Sequence, residues 1–196
     1  MTLLGEFSLW LALLLSAWAT VLGFSGRWQG RPDLTASVRG AVYATFGALA
    51  VATLALWKGL ASHDFNIEYV AAYTSRNLPD GYIISALWAG QKGSLLFWAV
   101  VLALFGALAQ VLTPRRYSAL MPYVGAVTSV VIGFFVCTML FASNPFERLP
   151  FTPADGRGLN PQLQNPGMMI HPPMLYLGYI SITIPFAFAI AALLSR

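Results

Sequence analysis

GSLLFWAVVLALFGALAQVLTPRRYSALMPYVGAVTSVVIGFFVCTMLF occupies positions 93–141 and carries just two charges, Arg115 and Arg116, side by side near its middle. A hydrocarbon core of roughly 30 Å takes about 20 apolar helical residues at about 1.5 Å each. The block therefore divides into two spans, one between Lys92 and Arg115 and one between Arg116 and Glu147, joined by a tight turn at positions 113–117. Neither run alternates with period two, and both are too long for barrel strands. The reading is a helical hairpin through a bilayer.

Outward from this hairpin, three more uncharged runs pass the same length test. One lies between Glu6 and Arg27, one between Arg39 and Lys58, and one follows Arg157, with its apolar body from about Met174 to Leu194. With 58% of 196 residues apolar and 9% charged, the sequence predicts an all-α integral membrane protein. A single membrane domain, 1–196, is expected to hold about five transmembrane helices and two extracytoplasmic loops. No Lys or Arg precedes the first run, and its apolar core exceeds the usual h-region of a secretory signal, so it is read as a retained helix. Pro185 should kink the fifth span.

The basic residues set the orientation. Arg27, Arg31, Arg39, Arg115, Arg116 and Arg196 fall on one side against the single acid Asp33, which predicts that side to be cytoplasmic. The other side mixes Lys58, Arg76, Lys92, Arg148 and Arg157 with Glu6, Asp64, Glu68, Asp80, Glu147 and Asp155. The N-terminus and both large loops are thus expected outside, the C-terminus inside. The positive-inside bias accounts for the net charge of +4, which gives no sign of nucleic acid as a partner; the partner it implies is the lipid bilayer. Cys137 stands alone, with neither CxxC nor CxxCH, and reads as a packing residue.

The outer loops hold the polar chemistry. In the first, 59–92, Ile83, Ile84, Leu87 and Trp88 recur at helical spacing in a stretch too short to span. This predicts an interfacial helix with the Trp88 indole N–H kept wet at the headgroups, unless these residues simply cap the next span. His63, beside Asp64, reads as a solvated loop residue. The second loop, 142–172, is punctuated by Asn-Pro and Asp-Gly pairs and is expected to be held by turns. It leads to IHPPMLYLGY, where Pro172 and Pro173 suit the first turn of a helix and the residue before proline avoids helical geometry. His171 is therefore expected at or near the N-cap of the fifth span. The positive end of the helix disfavours a protonated imidazole there. A neutral imidazole either hydrogen-bonds loop carbonyls or ligates a metal, and the residues alone leave both open.

Five blocks in order, DFNIEYVA, ISALWAGQKGSLLFWA, SNPFERL, PADGRGLNPQLQNPG and IHPPMLYLGY, make the chain resemble the CcmF family, the haem-handling subunits of system I cytochrome c maturation. The haem lyase subunit of nitrite reductase maturation shares the same blocks. The resemblance implies a multi-pass protein of the bacterial inner membrane. Its implied cofactor is haem, and its implied partners are a haem chaperone, apocytochrome c and other maturation subunits. It assigns His171 as an axial ligand of the haem iron. With haem implied, Trp88 and Trp98 become candidates to pack at its edge. Arg148 and Arg157 become candidates to pair with its propionates, unless Glu147 and Asp155 neutralise them.

Two departures stand out. Lys92 in WAGQKGS occupies a position commonly acidic in that family. The family's WWD segment, its partner extracytoplasmic histidine and its transmembrane histidine pair are absent from these 196 residues. The chain is accordingly expected to be an N-terminal portion or subunit of such a haem lyase, not catalytic alone, with a split or truncated reading frame ending after FAIAALLSR. The rival expectation is a non-catalytic scaffold subunit of a quinone-linked or ion-translocating complex. Against an ion pathway stands the lack of ionisable residues inside the spans.

Overall fold

The computed structural model describes residues 1–28 and 31–195. Arg196 and the side chain of Arg27, both counted in the charge pattern, lie outside the described residues. Among the described residues eight α-helices follow one another: α1 (Thr2–Trp28), α2 (Pro32–Ala61), α3 (Glu68–Tyr73), α4 (Asp80–Ala86), α5 (Gln91–Leu112), α6 (Met121–Phe141), α7 (Pro166–Ser181) and α8 (Thr183–Leu194). Five segments among the described residues are long and apolar enough to cross a membrane: Thr2–Gly26, Ala36–Ala61, Gln91–Leu112, Met121–Phe141 and Pro166–Leu194. The all-helical membrane fold read from the sequence is the one observed.

α6 is the hub, packed on α1, α2, α5 and α8, while α2 also meets α1 and α5. Lipid tails are as apolar as leucine, so close approach between helices depends on small residues. Gly23 leaves no room for a Cβ against Ala126 and the Pro122 carbonyl, and Gly125 sits tightly against Val38. Leu9, Leu49, Ala52, Leu56, Leu102 and Met139 are fully or almost fully buried at the centre. Most hydroxyls inside the spans return their protons to the helix, as Thr45 does to the Ala41 carbonyl at 2.8 Å and Thr128 to that of Val124 at 2.9 Å, whereas Ser129 Oγ is enclosed in α6 without a partner. Such internal bonding is what hydrocarbon demands of a polar group.

The fifth span departs from expectation at its start. His171 was expected at the N-cap, yet α7 begins at Pro166 and contains His171, Pro172 and Pro173 in its interior. The reason is a stronger start signal upstream. The Asn165 side chain accepts from the Gly167 N–H at 2.8 Å, and Pro166 fills the first helical position. Once the helix is nucleated there, the pre-proline bias at His171 is overridden, at the cost of two helical donors. The carbonyls of Met168 and Met169 lose the N–H groups that Pro172 and Pro173 lack. Pro185 acts as expected: the helix breaks at Ile182, dividing the span into α7 and α8.

Candidate functional site

Thr2 and Glu6 of α1, together with both long loops, meet at one end of the bundle and build a folded cap. Its seam is a two-strand contact between Ile67 and Arg148. There the Glu68 N–H donates to the Glu147 carbonyl and the Leu149 N–H to that of Asn66, each at 2.9 Å. Farther along, the Arg157 N–H bonds the Ala71 carbonyl at 2.8 Å and the Gly158 N–H that of Thr74 at 3.1 Å. Gly156 has no space for a Cβ beside the Thr74 carbonyl, and Gly158 adopts φ +83°. These two glycines let the second loop lie flat on α3.

The first loop has its own core. Tyr69, 2% exposed, donates to the Ala86 carbonyl at 2.8 Å and accepts from the Gly90 N–H at 3.1 Å. Burial pushes the Tyr69 hydroxyl well above its ordinary pKa, so it remains a donor. α4 is the short helix expected in this loop, but Ile83 and Leu87 face the cap interior. The Trp88 indole N–H, expected to be wet, is enclosed and Nε1 has no partner. It is displaced from water because Trp88 packs on Phe97 with ring centres 5.7 Å apart.

His63 also differs from its reading as a solvated side chain. It ends α2 as a left-handed residue, φ 51°, in the position after the cap where glycine is usual. The Asp64 N–H reaches back to the Gly59 carbonyl at 3.0 Å. The ring stands edge-on to Phe65 at 5.9 Å, and its Nε2 is enclosed without a partner.

His171 is exposed on α7. Ile170, Met174, Leu175 and Tyr179 around it are exposed too, so the imidazole stands on an apolar, uncovered surface. In the fifth span only Ile180, Ala187 and Ala191 are buried within the chain, whereas Met121–Phe141 buries residues along most of its length. Tyr176, five residues on and therefore about 140° round the helix, faces the other way. It meets Trp98 at 5.6 Å and Phe97 at 6.0 Å, and its hydroxyl is 3.5 Å from Ser94 Oγ. Ser94 Oγ in turn donates to the Trp88 carbonyl at 2.9 Å. Trp88 and Trp98 are thus brought together through Phe97 and Tyr176, in the seam between α5 and α7.

The two arginines are not brought together. Arg148 donates to Thr2 Oγ1, its Nε at 2.8 Å, and so ties the cap to the start of α1. Arg157 is exposed beside a cleft of about 200 Å³ that it shares with Glu68 and Asp155. Neither expected acid neutralises its neighbour. Asp155 accepts from the backbone N–H groups of Arg76, at 2.9 Å, and Gly156, at 2.7 Å, which hold its carboxyl below the usual range. Glu147 pairs with Lys92 at 2.7 Å, and this bond lowers its pKa. Lys92 also pairs with Glu68. This three-residue cluster was not legible in the sequence, since its members are 24 and 55 positions apart. Their one sequence-level mark was the unusual lysine itself.

A family model described as cytochrome c assembly protein matches residues 88–196. The chain is 36% identical over 193 residues to the cytochrome c-type biogenesis protein CcmF of Haemophilus influenzae, covering 98% of this chain and 30% of that protein. To the CcmF of Pseudomonas aeruginosa it is 38% identical over 192 residues, covering 97% and 29%. The cytochrome c-type biogenesis protein NrfE of H. influenzae is 37% identical over 131 residues, 67% of this chain and 21% of that protein. A solved structure of the cytochrome c haem lyase CcmF superposes with a TM-score of 0.81 at 31% identity, covering 97% of this chain and 30% of that one. The chain spans about 30% of the length of these CcmF relatives.

Proposed function

Because the chain belongs to the cytochrome c assembly protein family, we propose that it supplies the N-terminal part of a cytochrome c maturation haem lyase and presents His171 to the iron of haem. The observation that carries this reading is the setting of His171. An exposed imidazole on an uncovered apolar helix face offers one nitrogen donor to iron and a hydrocarbon surface to a porphyrin. That donor set fits haem. When bound, haem supplies vinyl groups that are joined to the CxxCH thiols of an apocytochrome c.

The chain's own part is to bind and position. Pro172 and Pro173 fix the backbone directly after His171, and the Trp98, Phe97 and Tyr176 packing anchors α7 to α5. Trp88 and Trp98 support the helix that carries His171 from behind. Arg157, exposed and without an ion pair among the described residues, remains available for a propionate; Arg148 serves the same end after releasing Thr2. The cap and the N-terminus lie outside the cytoplasm and the Arg115–Arg116 turn lies inside, as the distribution of basic residues supports. A haem chaperone, an apocytochrome c and the other maturation subunits are the partners of this arrangement. The rival reading, a scaffold of an ion-translocating complex, is not favoured, since the relatives are named for cytochrome c biogenesis.

The test is His171→Ala in cells carrying the assembled maturation system. Holocytochrome c should be lost, by haem staining, while membrane levels of the chain stay constant, and added imidazole should restore part of it. Normal maturation by the variant would remove His171 from the reading.

A further inference from the structure

At the end of the bundle opposite the cap, a cleft of about 350 Å³ opens between α2, α5 and α6. Arg39, Gln110, Thr113, Arg115 and Ser118 line it, above a wall formed by Val38. Two guanidiniums, two hydroxyls and a carboxamide give it a donor-rich rim. The one acid at this end, Asp33, is already held by Arg31 at 2.6 Å. No carboxylate therefore answers Arg39 or Arg115 among the described residues.

Arg39 is also aimed. Its Nε donates to the Tyr43 hydroxyl at 3.0 Å and its guanidinium lies 5.6 Å from that ring's centre. This leaves the terminal fork of the guanidinium for a ligand. Gln110, 8% exposed, has its Nε2 turned to the Met121 carbonyl at 3.3 Å, which ties the floor of the cleft to the first turn of α6. The positive end of α6 opens on the same space. A bias toward basic turns explains how many arginines collect here, but not why two of them edge one cavity.

The cleft lies at a particular depth. Val111 and Leu112, 61% and 73% exposed, end the apolar surface of α5 directly before Thr113. The cleft thus opens where the apolar surface of this span ends, the level at which a span of this length passes from hydrocarbon to headgroups. We propose that this cleft is a binding site for the phosphate of an anionic phospholipid, held between Arg39 and Arg115 with Thr113 and Ser118 as hydroxyl donors. The phosphate group could also arrive as a free ion, but a site that begins where the acyl region ends selects the lipid-borne one.

The experiment uses the purified chain in a neutral detergent, with phosphatidylglycerol, phosphatidylcholine and inorganic phosphate as separate probes. Binding is read by native mass spectrometry and thermal unfolding. Phosphatidylglycerol should be retained as a discrete adduct and raise the unfolding temperature, while phosphatidylcholine and inorganic phosphate should do neither. Each of Arg39→Gln and Arg115→Gln should weaken phosphatidylglycerol roughly fivefold, and the pair roughly 25-fold. Arg116→Gln should change it less than about twofold, because Arg116 lies over the Tyr117 ring at 4.8 Å and not in the cleft. Should the double variant fail to fold, Arg115→Gln in the exposed turn carries the same reading. An equal loss with Arg116→Gln, equal retention of phosphatidylcholine, or displacement of the lipid by inorganic phosphate would each overturn the proposal.

Discussion

Lys92, in the first turn of α5, donates to Glu147 Oε2 at 2.7 Å and to Glu68 as well, so one ammonium joins both long loops to the top of a span. Removing the cation leaves two carboxylates facing each other. Lys92→Met should lower stability by about 1 kcal/mol, the upper end for a solvent-accessible pair. Lys92→Glu should cost more, since a third carboxylate enters the cluster. Thermal unfolding in detergent, followed by intrinsic tryptophan fluorescence, would separate the two. Equal midpoints for wild type and Lys92→Glu would show that the cluster contributes nothing.

Acid should loosen the cap before it disturbs the bundle. Glu147 and Asp155 both have folded pKa values below their ordinary 4.5 and 3.8. Groups depressed in this way add stability that is present above the ordinary values and lost as pH falls through the folded ones. Amide exchange at Glu68, Leu149 and Arg76 should accelerate relative to the spans as pH drops from about 5 to about 3, once the intrinsic rate is divided out. Both carboxylates are largely exposed, so the effect is small per group. Uniform protection of cap and spans down to pH 3 would contradict it.

The orientation is open to direct labelling. In a Cys137→Ser background, single cysteines at Asn77 and Asn160 should react with an impermeant maleimide in intact cells, and one at Ser25 should not. The reverse pattern would invert the topology and place His171 on the cytoplasmic side.

His63 bears the conformational cost of ending α2. A left-handed residue other than glycine costs roughly 1–2 kcal/mol, and the enclosed Nε2 adds an unmet hydrogen bond. His63→Gly should therefore stabilise the chain by about 1 kcal/mol, with cytochrome c maturation unchanged. A loss of maturation with folding intact would instead give this imidazole a functional part.

The spans were legible because length without charge is a one-dimensional property. Arg115 and Arg116 mark the turn between α5 and α6 as plainly in the sequence as in space, and Pro185 marks the break at Ile182. The start of α7 differs from its sequence expectation for a local reason: two competing signals lie within seven residues, and the Asn165 cap with Pro166 outweighs the bias that Pro172 imposes on His171. The cap was harder to read. Whether Trp88 meets water or Phe97 depends on how α4 folds back, and the partners of Lys92 depend on two loops meeting across α5 and α6. Such pairings leave no periodic trace.

The seam of the cap also sets an order of events. The Arg76 N–H meets the Asp155 carboxylate across 79 positions, with two membrane crossings between them. At about 5–20 residues per second of synthesis, the second loop emerges roughly 4 to 16 s after the first. Until then Glu68 and Arg76 have no seam to join, and α3 and α4 must persist on the Tyr69 core alone. The cap is thus a latch that closes late, and its closure reports that α5 and α6 have both been threaded through the bilayer.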